Sequence, residues 1–156
     1  MSLTLGADLL SVVARINRLA NQRVRMQIPF AQARLLSTIE DQGEARISDL
    51  AALDHCSQPT MTTQVRRLED AGLVTRTADP HDARAVLIRI TPAGITTLRQ
   101  VRLDRGAAVD PYLGRLSDEE RHRLTEAVTV LGRLVDVAAP GRPPVDIHRG
   151  MPVNVQ

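Results

Sequence analysis

Residues 57 to 67, Ser-Gln-Pro-Thr-Met-Thr-Thr-Gln-Val-Arg-Arg, set short and forked hydrogen-bonding side chains at helical spacing. At about 100° per residue, Met61, Val65, Leu68 and Gly72 share one side. Pro59, Thr63, Arg66 and Arg67 fall opposite, with Thr60, Thr62 and Gln64 on the flanks. A solvent-facing helix side usually carries Glu and Lys pairs, whereas this one carries Thr, Gln and Arg. Gln pairs bidentately with adenine, Arg with guanine, and a Thr methyl meets the thymine methyl. The same groups also reach phosphates. The chemistry indicated is recognition of double-stranded DNA, set against the plainer alternative of an ordinary polar face. The candidate contacts on this helix are Ser57, Gln58, Thr60, Thr62, Thr63, Gln64, Arg66 and Arg67.

A second basic candidate, Arg84, is placed in the turn between two β-prone runs. A lone Arg beside a duplex can enter the narrow minor groove, where the potential is most negative. The alternative is an exposed loop Arg without a role. Asp82 would repel phosphate if free, so it is expected to pair with Arg84 or Arg76 and orient the loop. His81 is either a phosphate contact or a solvated loop residue.

Other chemistries have little support. The single cysteine, Cys56, excludes an internal disulfide and fits a reducing compartment. It lies in the turn before residue 57, where a structural thiol is the expected reading and a redox sensor the alternative. His55, His81, His122 and His148 lack metal-ligand spacing. No phosphate-binding Gly-rich loop, nucleophile elbow or catalytic carboxylate pair is visible, so neither an enzyme nor a cofactor is expected.

The elements that must position these residues follow from periodicity. Leu9, Val13, Ile16 and Ala20 make the stripe of an amphipathic helix over about 6–26, widened by Leu10, Val12, Leu19 and Val24 until it can touch a second subunit. A second helix is expected from Ala31 to Asp41, with Leu35, Leu36 and Ile39 inward and Gly43 as its stop. Ser48 is expected to cap a short third helix with Leu50 and Leu53 inward. Ser57 is expected to cap the fourth, which tolerates Pro59 in its first turn and ends at Gly72. Residues 73–76 and 85–90 read as strands joined by a loop somewhat longer than a minimal turn. Thr91-Pro92 starts a fifth helix reaching about Val109, with Ile95, Leu98 and Val101 or Arg102 along one side. Ser117 to Glu120 is a capping box that opens a sixth helix with a broad apolar stripe from Leu124 to Ala138. Residues 139–156, proline-rich and aperiodic, read as a loose tail.

The order ααααββαα is mainly α with a small β-hairpin wing, a winged helix-turn-helix flanked by long N- and C-terminal helices. With 156 residues and only Phe30 and Tyr112 as aromatics, the core must be aliphatic, which suits helix packing. Net charge is +2 and all 20 basic residues are Arg, a usage that suits phosphate and base edges and also follows from a GC-rich genome. With no secretion signal and no apolar run of about 18 residues, a cytoplasmic protein without membrane association is expected.

Two segments carry a family resemblance: QPTMTTQVRRLEDAGLVTR, and DARAVLIRITPAG with Asp82, Arg84, Leu87, Ile90, Thr91 and Gly94 in the signature places. They resemble the multiple antibiotic resistance regulator (MarR) family, and the helix order extends the likeness over residues 6–138. The resemblance implies a DNA-binding unit at 31–92 and dimerisation helices at 6–28 and 93–138. It implies a homodimeric repressor on an inverted-repeat operator, with residues 58–67 in the major groove and Arg84 in the minor groove. It also implies release by a small aromatic or anionic effector in a crevice lined by the first, second and fifth helices, where Arg15, Arg18 and Arg23 could attract a carboxylate. An activator or a redox- or metal-responsive regulator of the same fold is the alternative. A winged helix that binds protein would instead show an apolar or acidic outer face on the fourth helix.

Overall fold

The computed structural model describes residues 3–138, and the expected loose tail lies outside them. The elements run α1 (Leu3–Arg23), α2 (Phe30–Gln42), β1 (Glu44–Arg46), α3 (Ile47–Leu53), α4 (Gln58–Asp70), β2 (Val74–Asp79), β3 (Asp82–Ile90), α5 (Pro92–Leu113) and α6 (Asp118–Ala138). The chain is mostly helical, with one three-stranded antiparallel sheet in the order β1-β3-β2.

The core is aliphatic, as the composition required. Leu36 and Ile39 of α2, Leu50 of α3, Met61, Val65 and Leu68 of α4, and Ile88 of β3 are fully buried at its centre. Burying such side chains is worth roughly 1.5–3 kcal/mol each, so this one cluster fixes α4 against the sheet. Gly43 ends α2 in the left-handed region at φ 71°. Gly72 (φ 73°) does the same for α4. There the Leu73 N–H donates to Leu68 O and the Gly72 N–H to Glu69 O, satisfying carbonyls the helix leaves open. Gly72 is therefore exposed beyond the helix end rather than on its core face.

Several expectations are corrected. β1 has no β-prone residues in its Glu-Ala-Arg sequence; it is extended because it pairs with β3, Ala45 opposite Ile88. Ser48 does not cap α3. Arg46 occupies the cap position and makes no side-chain cap bond, because the chain enters the helix directly from β1. Leu53 is 45% exposed, since in so short a helix Leu50 and Ala51 take the buried positions and Ile47 packs partly against the core. Ile95 is likewise exposed, while Leu98 and Val101 carry the buried side of α5. α1 stops at Arg23, short of residue 26, and α5 continues past Val109 to Leu113 with Pro111 in its last turn.

The outer helices differ from the core. Of the α1 stripe only Ala20 is buried; Leu5, Leu10, Val12, Val13 and Ile16 are exposed. Arg105 of α5 ties α1 and α2 together, donating to Asn17 Oδ1 at 2.8 Å with its guanidinium 5.5 Å from the Phe30 ring centroid. α6 begins with the expected reciprocal box: the Glu120 N–H donates to Ser117 Oγ and the Ser117 N–H to Glu120 Oε2. No residue of α6 is buried.

Candidate nucleic-acid interface

The outer face of α4 is set by its cap. Ser57 has an extended backbone, and its Oγ accepts the Thr60 N–H at 3.3 Å and lies 2.8 Å from Thr60 Oγ1. Thr62 and Thr63 turn their hydroxyls back onto Gln58 O and Pro59 O at 2.8 and 3.1 Å. With those hydroxyls satisfied by the backbone, the Thr methyls are the groups left to face outward. Ser57, Gln58, Thr60, Thr62, Thr63, Arg66 and Arg67 are all exposed, and Gln64 is half-buried. Arg66, Arg67 and Arg84 have no ion-pair partner among the described residues. The face is therefore cationic and polar, with its arginines uncommitted.

The turn before α4 is a helix stop followed by a helix start. The Cys56 N–H donates to Ala51 O at 3.0 Å and the His55 N–H to Ala52 O at 3.3 Å, with His55 left-handed at φ 52° in the place Gly usually takes. Cys56 is half-buried and packs on the core cluster, in line with a structural thiol. Among the described residues no group of three or more His, Cys, Asp or Glu is placed to hold a metal ion.

The wing differs from its expected form. β2 and β3 extend to Asp79 and Asp82, leaving only Pro80 and His81 between them, a minimal turn rather than a longer loop. The pairing runs Ala78 with Val86, then jumps to Asp79 with Asp82. The jump leaves Ala83, Arg84 and Ala85 bulged out of the ladder on β3. Arg84 thus belongs to a strand bulge and not to the turn; the Asp79 carboxylate accepts the turn amide of His81, and the Asp82 carboxylate accepts the bulge amide of Arg84. Bulges re-aim side chains, and Arg84 is exposed there.

The carboxylates near the tip also take other partners than expected. Asp82 Oδ1 accepts the backbone N–H of Arg84 at 3.0 Å, not its guanidinium. Arg76 pairs with Glu69 of α4 at 2.7 Å, linking α4 to β2. The sequence reading missed Asp79, the buried carboxylate of the wing. Its Oδ1 accepts the His81 N–H at 2.8 Å, and its Oδ2 accepts Arg46 Nε at 3.0 Å and Nη2 at 2.5 Å. The His81 amide first, then the Arg46 guanidinium, hold this carboxyl below the usual aspartate range. The Asp79-Pro80 pair was a turn signal; Arg46, 33 residues away, carried none.

A cavity of about 170 Å³ opens between α2 and α5, lined by Phe30, Ala33, Arg34, Ser37, Leu98, Val101, Arg102 and Arg105. Arg15, Arg18 and Arg23 are not among its lining residues; α1 is tied to this region by the Asn17–Arg105 hydrogen bond. Arg34 is paired with Asp54 and Arg102 with Glu40, whereas the Nε of Arg105 is buried without a hydrogen-bond partner.

Comparisons with known proteins agree with this geometry. Residues 28–86 match the model of the MarR family. The Bacillus subtilis (strain 168) HTH-type transcriptional regulator MhqR is 33% identical over 103 residues, 66% of this chain and 69% of that protein. The transcriptional regulator Tm0710 of Thermotoga maritima has a similar structure, with TM-score 0.70, 25% identity, and coverage of 86% of this chain and 95% of the other. A mutant of Escherichia coli MarR, complexed with operator DNA, shares the fold at TM-score 0.56 and 24% identity, covering 88% of this chain and 95% of that one.

Proposed function

The chain belongs to the MarR family of DNA-binding transcriptional regulators, and from that premise we propose that it is a homodimeric repressor of an inverted-repeat operator. The observation that carries this reading is the polar face of α4, with Arg66 and Arg67 exposed, together with an exposed Arg84, all three without an ion-pair partner among the described residues. In it, Ser57, Gln58, Thr60, Thr62, Thr63, Gln64, Arg66 and Arg67 meet the major groove, and Arg84 meets the minor groove. The operator-bound state of the E. coli relative supports operator DNA as the ligand here. Phosphate contacts by Arg66 and Arg67 supply affinity, and base-edge contacts by Gln and Thr supply sequence preference.

Residues 6–28 and 93–138 serve as the dimerisation part, with 31–92 as the DNA-binding unit. The uncovered apolar residues of α1 and α6 support this division, since a second copy would remove them from water. A two-fold dimer presents its recognition helices about one helical turn apart, so the operator is an inverted repeat. Bound across a promoter, such a dimer excludes polymerase. Work on chromosomal DNA places the protein in the cytoplasm.

The effector in this reading is a small aromatic or anionic molecule held between α2 and α5. The buried, unpartnered Nε of Arg105 beside the Phe30 ring supports an acceptor group with an apolar body.

The test is binding of purified protein to DNA from immediately upstream of its own gene, by fluorescence anisotropy at two salt concentrations with scrambled DNA as control. The expected result is tight binding that favours the upstream DNA. Equal, weak binding to both that vanishes with salt counts against a sequence-specific autoregulator.

A further inference from the structure

We propose that Asp79 and Arg46 are positioning residues for DNA binding: their ion pair holds the wing tip against the start of the helix-turn-helix, so that Arg84 and α4 meet one duplex together. The inference rests on the reading of Arg84 as a DNA contact, and it assigns neither Asp79 nor Arg46 to the DNA itself.

Asp79 is only 6% exposed and lies where the wing ladder breaks. A carboxylate this far from water needs its lone pairs filled. Three N–H groups fill them, one from the turn at His81 and two from Arg46. Arg46 is the last residue of β1 and the cap residue of α3, the first helix of the helix-turn-helix. One side chain therefore joins the wing tip to the frame that carries α4.

Arg84 depends on that joint because, among the described residues, little else fixes it. The register jump leaves Ala83, Arg84 and Ala85 without partners on β2, and β1 pairs with β3 only at Leu87, Ile88 and Arg89. Around Arg84 the remaining anchor is its own N–H on Asp82 Oδ1, and Asp82 is held opposite Asp79 across the turn. The Arg76–Glu69 pair ties β2 to α4 nearer the strand's base and does not reach the tip. Without Asp79 the tip is free to pivot while the base of the wing stays in place. Asn at 79 has one acceptor oxygen and cannot serve both the His81 amide and the Arg46 guanidinium.

The test is a double-mutant cycle on a duplex selected from a random pool by the purified wild-type chain. Anisotropy titrations compare wild type, Asp79→Asn, Arg84→Ala and the double variant, each checked for folding by circular dichroism. Arg84→Ala is expected to weaken binding about tenfold or more in the wild-type background and to within about twofold in the Asp79→Asn background. Asp79→Asn should also lose hydroxyl-radical protection in the minor groove flanking each half-site, while base preferences read by α4 stay as they were. Arg46→Lys, which keeps a charge on Asp79, should restore most of the coupling that Arg46→Gln loses, and the Arg46→Gln cycle stands in should Asp79→Asn fail to fold. Losses that simply add, with wing protection retained, overturn the positioning role and leave Arg84 a DNA contact. An Arg84→Ala variant that binds like wild type overturns the wing contact itself, and the positioning role with it.

Discussion

Gly94 lies directly against the backbone of Leu73: a Cβ on residue 94 would stand 2.2 Å from Leu73 O and 2.7 Å from Ile90 Cγ1. The same carbonyl accepts the Thr91 N–H at 3.0 Å, and Thr91 Oγ1 accepts the Gly94 N–H at 3.0 Å while donating to Gly72 O at 2.7 Å. The start of α5 is thus clamped onto the junction between α4 and β2. Gly94→Ala would meet the Leu73 backbone first, which cannot swing aside, and the Ile90 side chain next, so it should destabilise the fold by roughly 1–3 kcal/mol through overpacking. Urea denaturation of wild type and variant measures this. An unshifted midpoint would mean that α5 can back away at no cost and that the clamp is unimportant.

That contact shows how much was legible beforehand. The Thr91-Pro92 cap and the Gly three residues after Thr91 were readable because capping and glycine are local rules. The same holds for the Ser57 cap, the Gly43 and Gly72 stops, and the Ser117–Glu120 box. The residues placed on the inward faces of α2 and α4, among them Leu36, Ile39, Met61, Val65 and Leu68, also came out fully buried. What stayed hidden depended on partners distant in sequence. Glu44, Ala45 and Arg46 form a strand only because β3 offers a free edge. Arg84 left the turn because Asp79 pairs with Asp82 across a two-residue turn, its carboxylate holding the His81 amide, and a bulge took up the surplus residues, with Asp82 holding the Arg84 amide. The acceptor of Arg46 was invisible for the same reason: no spacing rule connects residue 46 to residue 79.

The electrostatics of Asp79 set a pH dependence with a definite sign. Its folded-state carboxyl is held below the ordinary aspartate value by the His81 amide and then by Arg46. A group whose folded value is depressed adds stability that is fully present above its unfolded value, about 3.9, and is lost as pH falls through the folded value. Wild type should therefore exceed Asp79→Asn in stability at neutral pH, with the gap closing below about pH 4. Glu120, lowered by the Ser117 amide, titrates in the same direction and leaves the variant some acid sensitivity of its own. Denaturant midpoints for both proteins from pH 7 down to about pH 2 test this; a constant gap across the range would contradict it.

The proposed dimer predicts what happens when its apolar seam is charged. Leu134 of α6 is 56% exposed, as are its neighbours Val128, Val135 and Val137 in similar measure or more, and Leu10 and Ile16 on α1. An exposed position in a monomer should accept Glu with little change in stability, within about 0.5 kcal/mol. In a dimer seam the same change buries an unpaired carboxylate and splits the assembly. Leu134→Glu is expected to run as a folded monomer in sedimentation velocity and to lose most of its operator affinity, because the two half-sites are no longer linked. A variant that stays dimeric would place the seam elsewhere.

The proposed DNA-facing side of α4 predicts a division between residues that choose sequence and residues that supply affinity. Thr63 sits on the outermost line of α4 with its hydroxyl turned to Pro59 O, which leaves its methyl outward. Thr63→Ala keeps the helix and removes that methyl, so it should change which base is preferred at one position of each half-site, most directly a thymine. Arg67 is an exposed cation near the end of the same helix, without an ion-pair partner among the described residues, and in the proposed reading it meets phosphate. Arg67→Ala should lower affinity on every sequence alike and reduce the slope of log affinity against log salt by about 1 per half-site. Selection from a random pool followed by salt titration reads both quantities on the same proteins. If Thr63→Ala selects the same bases as wild type, the methyl does not read sequence. If Arg67→Ala changes base preference and leaves the salt slope alone, the two roles are exchanged, and α4 lies in the groove turned toward its Arg67 side.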